Sequence, residues 1–184
     1  MDSNVRLDFL RSRPPRIVHS TEVETCTVAE YLASGRRSER AGVILLTTFN
    51  SRTNYCLGIY KNNELTDFGG KTFPWEDSIS AALREFHEET LGIFGKLQPS
   101  QVMNSIVIHN SYNLVLFLRY EIDPVIICDA FSRKITSIPI GESELKGIMF
   151  FTEQEFYRKL HNTKEIYHRL AFFLCEAGDF YNSL

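Results

Sequence analysis

The chain has 184 residues, enough to fill one good core with little left for a second. With 43% apolar and 12% aromatic residues it is not a disordered polymer, and a net charge of −3 excludes a general coat for nucleic acid. No apolar run near the N-terminus is fit for export, and the longest apolar strand, AGVILL at 41–46, is far too short to span a bilayer; both point to a cytoplasmic protein, or one shared with the nucleus, with no membrane partner.

In chain order, residues 1–25 are polar and Arg-rich around Pro14-Pro15, without a period, and read as a basic, flexible arm ahead of one domain at 26–184. Thr27 to Ser34 reads as a short helix capped near Thr27 and broken at Gly35. Gly42 to Phe49 is a continuous apolar and β-branched run, and Tyr55 to Tyr60 is a second strand across a turn containing Asn50, Ser51 and Asn54. Asn62-Asn63 makes the next turn, Leu65 to Phe68 a short strand, and Gly69-Gly70 a tight turn where backbone carbonyls can approach a ligand closely. A helix from about Asp77 to Thr90 follows. Val102 to Ile108 and Tyr112 to Ile122 read as a hairpin about Asn110-Ser111, and 123–146 as a long loop with strand propensity at Val125 to Ile127. Gly147 to Phe151 reads as the last strand, with Glu153 to Leu160 and Lys164 to Ala177 as closing helices. Strands, helix, strands, helix in this order give an α+β or layered α/β/α domain. Cys26, Cys56, Cys128 and Cys175 stand singly, which suits core thiols better than zinc ligands or disulfides.

The helix from Asp77 carries the chemistry. At about 100° per residue, Glu85, Glu88 and Glu89 project within an arc of roughly 100°, and Ile79, Ala82, Leu83 and Phe86 form an apolar stripe beside them. Like charges so placed repel by a few tenths of a kcal/mol per pair, a cost that a bound cation removes. Carboxylate and carbonyl oxygens suit Mg²⁺ or Mn²⁺, and Mg²⁺ completes its shell with substrate phosphates. Asp77 or Ser78 can cap the helix, Glu76 adds charge near its positive end, and Leu91-Gly92 supplies the stop.

The stretch from Gly70 to Ile93 resembles the signature of the Nudix hydrolases: Gly70, Glu76, Arg84, Glu85, Phe86, Glu88 and Glu89 match at the right spacings. It departs from that signature where Thr90 and Leu91 occupy one variable position, so that Gly92 and Ile93 arrive one residue late. The resemblance implies the Nudix fold, a mixed β-sheet between helices. It also implies metal-dependent pyrophosphohydrolysis of a nucleoside diphosphate linked to another moiety, with water attacking phosphorus. The metal ligands would be Glu85, Glu88, Glu89 and a carbonyl of Gly69 or Gly70, with Glu89 as the shared, bridging carboxylate. Arg84 would orient a ligand glutamate, Glu76 would anchor Arg84 or cap the helix, and Lys71 would offset charge on the departing phosphate.

Family members draw the general base from different places; Glu142 and Glu144, in GESELKG, are candidates outside the box. Trp75 and Phe73 either stack on a substrate base or pack against the helix, with packing favoured. Arg52 and Lys61 either reach distal phosphates or are solvated. His109 reads as structural, and His87 points away from the acidic arc. Arg6, Arg11, Arg13, Arg16, Arg36, Arg37 and Arg40 concentrate positive charge suited to RNA or a polyphosphate. That keeps mRNA-decapping and diphosphoinositol polyphosphate hydrolysis open behind a small nucleotide-type diphosphate, with a non-catalytic phosphate-binding module as a further alternative. The oligomeric state is open, a homodimer included.

Overall fold

A computed structural model describes residues 21–139, 142–161 and 165–178. Thr27 ends strand β1 (Glu24–Thr27) and caps helix α1 (Val28–Ala33): its hydroxyl accepts from the Glu30 amide at 3.2 Å, and the Glu30 carboxylate accepts from the Thr27 amide at 2.8 Å. β2 (Arg40–Phe49) and β3 (Arg52–Tyr60) form a hairpin turned by Asn50 and Ser51, both at positive φ. After β4 (Leu65–Thr66) and β5 (Phe68–Lys71) comes helix α2 (Ser78–Glu89), then the hairpin β6 (Ile106–His109) and β7 (Asn113–Tyr120). Helix α3 (Pro124–Ile135), β8 (Leu145–Thr152), α4 (Glu153–Leu160) and α5 (His168–Glu176) close the chain.

The sheet is mixed. Its order is β1-β6-β7-β2-β3-β4, with β5 on β2 and β8 on β3; β2 runs parallel to β7 and the other named pairs are antiparallel. The run at 41–46 lacks alternation because β2 is covered on both faces. Val43 and Leu45 face one core with Tyr31, Ile79, Phe86 and Ile127, from α1, α2 and α3; Ile44 and Leu46 face the other with Phe156, Leu160, Leu170 and Leu174, from α4 and α5. The result is an α-β-α sandwich, as the order of elements predicts.

Halfway along, β2 changes partner. Residues 45–49 pair with β3, whereas 40–43 pair with β5, while β3 itself turns to β4 at Gly58 and Ile59. The sheet forks there, with Asp67 between the two short strands.

Three expectations are corrected. Residues 124–135 form a helix, not loop or strand: the Asp123 carboxylate accepts from the Val125 amide at 2.9 Å, Pro124 occupies the first turn, and Ile127 and Phe131, four apart, are the buried pair. The β-branched Val125 and Ile126 are 62% and 56% exposed, so their strand propensity is overruled by the cap and by burial of their neighbours. Gly69-Gly70 is strand, not turn, held in register against Gly42 and Ala41. The last helix begins at His168, because Ile166 bridges Leu65, with hydrogen bonds from the Leu65 amide to the Glu165 carbonyl and from the Tyr167 amide to the Leu65 carbonyl. The four cysteines are free thiols, and no described helix is long and apolar enough to cross a membrane. Of the arm at 1–25, residues 1–20 lie outside the described residues.

Candidate active site

Helix α2 starts at Asp77, whose carboxylate accepts from the amides of Ile79 and Ser80, both at 2.9 Å. Its inner face buries Ile79, Ala81, Ala82, Leu83 and Phe86. At roughly 1.5–3 kcal/mol for each buried Ile, Leu or Phe, this outweighs the tenths lost to glutamate repulsion, so the helix can carry three carboxylates together. Its exit absorbs the late glycine. Leu91 and Gly92 both take left-handed conformations at φ 57° and 70°, and the Gly92 amide donates to the His87 carbonyl at 2.8 Å. His87 Nδ1 meets the Gly95 carbonyl at 2.9 Å, so this ring ties down the loop after the helix rather than facing the acids. His109 is buried edge-on against Tyr31, a structural position.

The three carboxylates do not form one exposed arc. The Glu88 side chain is 58% exposed and that of Glu85 15%, while Glu89 is buried, with Oε2 lacking any hydrogen-bond partner. Burial pushes Glu89 up to about 9, helped by the charges of Asp67 and Glu85, against an opposing pull from Arg40 and the Gly69 amide. Burial also raises Glu85, against the lowering effect of Arg84.

Arg84 is the clamp. Its Nε and Nη2 donate to the two Glu76 oxygens at 3.1 and 2.8 Å, Nη2 also reaches the Lys71 carbonyl at 3.1 Å, and Nη1 donates to Glu85 at 2.6 Å and Glu88 at 3.4 Å. The bond to Arg84 holds Glu76 below the usual carboxylate range. Of the two roles open to Glu76, anchoring Arg84 is the one adopted, and Asp77 does the capping. One guanidinium therefore joins β5, the loop before α2 and two candidate ligands.

Gly70 lies under Glu85. A Cβ on Gly70 would stand 2.4–2.7 Å from the Glu85 carboxylate, closer than real contacts allow. The obstruction is the end of a flexible side chain, so Gly70→Ala is expected to fold with a near-normal melting temperature and to displace Glu85, lowering kcat at least about tenfold. Wild-type kcat in that variant would remove Glu85 from the reacting face.

Glu85, Gly69, Gly70, Lys71 and Glu144 line one cavity of about 600 Å³ at the fork of the sheet, together with Arg40, Tyr60 and Tyr167. The sequence does not single out Asp67, and it places Arg40 only in the basic cluster. Asp67 is fully buried and accepts from Arg40 Nη1 and Nη2 at 2.8 and 2.6 Å, and Nη2 also donates to the Gly69 carbonyl at 3.2 Å. Burial works against the Arg40 charge, yet Asp67 holds its pKa above the usual value. Arg40 is thus the first residue of β2 and part of the site, not part of a basic arm. Arg36 pairs with Glu24, and Arg37 donates to the carbonyls of Phe73 and Pro74.

The remaining candidates are spread out. Lys61 sits in the turn after β3, beside the cavity rim, and Glu142 is exposed and outside the lining. Arg52 is at the far end of β2 and β3, paired with Phe49, remote from Gly70, which pairs beside Arg40. Packing against the helix, the favoured reading, holds for Phe73, whose ring lies 4.5 Å from the Arg84 guanidinium carbon; Trp75 is 79% exposed and stacks on Phe73 at 4.9 Å. With Arg37 holding the backbone and Arg84 against Phe73, the two rings complete each other outside the core.

Among the described residues no three His, Cys, Asp or Glu side chains are gathered as a ready-made metal cluster, and Arg84 is bonded to both Glu85 and Glu88. A hard cation nonetheless fits the donor set. Every candidate ligand atom is an oxygen, and Glu89 Oε2 is buried without a hydrogen-bond partner, so that a cation would give the ionised carboxylate the partner it lacks.

No family model matches the chain, and no curated protein does. Solved structures do: a C. elegans Ap4A hydrolase binary complex, at 14% identity over 79% of this chain and 98% of that one, has a TM-score of 0.45. The Bacillus subtilis pyrophosphohydrolase BsRppH is similar at 16% identity over 85% and 92%, with a TM-score of 0.45. A Nudix hydrolase from Nitrosomonas europaea follows at 16% over 79% and 90%, with a TM-score of 0.41.

Proposed function

We propose that the chain is a metal-dependent pyrophosphohydrolase of the Nudix type, cleaving the diphosphate linkage of a nucleoside diphosphate joined to another moiety by water attack on phosphorus. The observation that carries this is Glu89: a buried carboxylate oxygen with no partner, on the helix whose Arg84, Glu85 and Glu88 complete the Nudix spacing with Gly70 of β5 and Glu76 of the loop before it. A solvated acidic helix would keep such a group in water, where its ionised form is stable.

Glu85, Glu88, Glu89 and a carbonyl of Gly69 or Gly70 would hold Mg²⁺ or Mn²⁺. Such a cation, when bound, would neutralise charge on the diphosphate and would lower the pKa of a water held there. The chain's own groups do the rest. Arg84 sets the position of Glu85 relative to β5, Lys71 places a positive charge at the cavity wall for the departing phosphate, and Arg40 fixes the Gly69 carbonyl. Glu144 lines the cavity and Glu142 does not, so Glu144 is the better-placed general base outside the box. Glu144→Gln is expected to lose about 10²-fold or more in kcat and Glu142→Gln almost nothing; equal, small losses would return the base to the helix.

The test is product release with Mg²⁺ or Mn²⁺ over a panel of nucleotides, dinucleoside polyphosphates, nucleotide sugars, inositol pyrophosphates and capped RNA. No turnover on any of them would leave a phosphate-ligand-binding module. Decapping and inositol pyrophosphate hydrolysis gain nothing from Arg36, Arg37 and Arg40, which are engaged within the fold. Arg6, Arg11, Arg13 and Arg16 lie outside the described residues.

A further inference from the structure

A second cavity, of about 430 Å³, lies between one face of α5 and the turn that joins β6 to β7. Phe172, Phe173 and Glu176 line it from α5 at i, i+1 and i+4, Asn110 and Tyr112 from the turn, and Glu39 from the residue before β2. Phe173 is buried, whereas Phe172 is 64% exposed, and a large ring left on a concave surface marks a place where something else can be covered. The chain itself arrives there. Asn110 Nδ2 donates to the Thr21 carbonyl at 3.3 Å, so residues 1–20 lead away from the wall of this cavity.

The charges of the cavity are also matched to that segment. Among the described residues neither Glu39 nor Glu176 joins an ion pair. Of the two cations in the lining, Arg40 is taken up by Asp67, and Arg169 stands at the other end of the α5 face from Glu176. Shortly before Thr21 the sequence reads Arg13-Pro14-Pro15-Arg16-Ile17-Val18.

We propose that residues 13–18 of this chain dock in the second cavity, with the prolines against Phe172 and with Arg13 and Arg16 toward Glu39 and Glu176. Consecutive prolines favour the polyproline helix, which fits aromatic-lined grooves and has little conformational entropy to lose on binding. Its three residues per turn put Arg13 and Arg16 on one side and Pro14 and Ile17 on the next. Six residues at about 3.1 Å each span about 19 Å. The α5 face from Arg169 to Glu176 is about 10 Å long, so the segment covers it with length to spare. Only His19 and Ser20 separate the segment from Thr21, and this short tether gives docking within one chain a high effective concentration. Because Arg40 lines both cavities, the docked segment would share a wall with the candidate active site. The inference needs neither metal nor turnover and does not rest on the hydrolase reading.

The experiment is trypsin cleavage of the full chain, with each cut followed by mass spectrometry. Phe172→Ser, and separately the double variant Glu39→Gln with Glu176→Gln, are expected to speed cleavage after Arg16 at least about fivefold over wild type, because proteolysis reads the population of the undocked segment. Cleavage after Arg6, outside the segment, should stay within about twofold in both. All three substituted residues are exposed, and thermal melts check that the variants are folded. An unchanged rate after Arg16 in either variant leaves the cavity to another occupant and overturns the inference. Protection that appears only at concentrations where light scattering shows a dimer gives the seat to the arm of a second copy, and overturns it too.

Discussion

Glu89→Gln is expected to lower kcat by at least about 10²-fold without unfolding the chain, because the amide fits the same buried space but cannot neutralise a cation. The same variant has a stability signature. In metal-free protein Glu89 is raised to about 9 from 4.5. Between those values the native chain holds a proton that the unfolded chain has released, so stability is greatest at the acid end and falls as pH rises through the window. Urea unfolding in EDTA between pH 5 and 9 should show that decline in the wild type, and glutamine should flatten it. Saturating Mg²⁺ should restore the wild type most at the alkaline end, where binding favours the ionised carboxylate. An unchanged kcat, or the same slope in wild type and variant, would remove Glu89 from the metal site.

The largest effect on stability is expected at Arg40. Arg40→Ala leaves the fully buried Asp67 carboxylate without its two-pronged partner and should cost about 3–5 kcal/mol in urea denaturation. Arg40→Lys, with one donor head in place of the fork, should fall between. Because the penalty is the stranded charge, adding Asp67→Asn to Arg40→Ala should recover part of it, a positive coupling that a mere loss of packing would not give. A single-variant cost under about 1 kcal/mol would mean that the pair behaves as an exposed bridge.

How far these residues can be read without coordinates differs by level. The acidic helix is legible because periodicity, an Asp cap and a motif of fixed spacing coincide over twelve residues. The sandwich is legible because β2 is apolar throughout, as only a strand covered on both faces should be. The depth of Glu89 is not: a helical wheel gives direction, whereas burial depends on Asp67 and β5 arriving against that face from elsewhere. Arg40 was misassigned for a related reason. Next to Arg36 and Arg37 it reads as part of a basic run, and its partner is 27 positions away. Helix α3 was hidden by Val125 and Ile126, whose local preference for strand lost to the buried pair Ile127 and Phe131. Tyr167 carries no local signal at all, since its place depends on pairing with Leu65.

The fork in the sheet has a consequence for how such a site can change. One prong, β5, presents its glycines to the glutamates; the other, the end of β3 with its turn at Asn62-Asn63, supplies Tyr60 and the rim. The two prongs are joined at Asp67 and pair with different strands, so the turn at 61–64 is not on the strand that meets the acid-bearing helix. Variation in that turn would then redraw which molecules the cavity admits while the glutamate helix and the glycines of β5 are inherited intact.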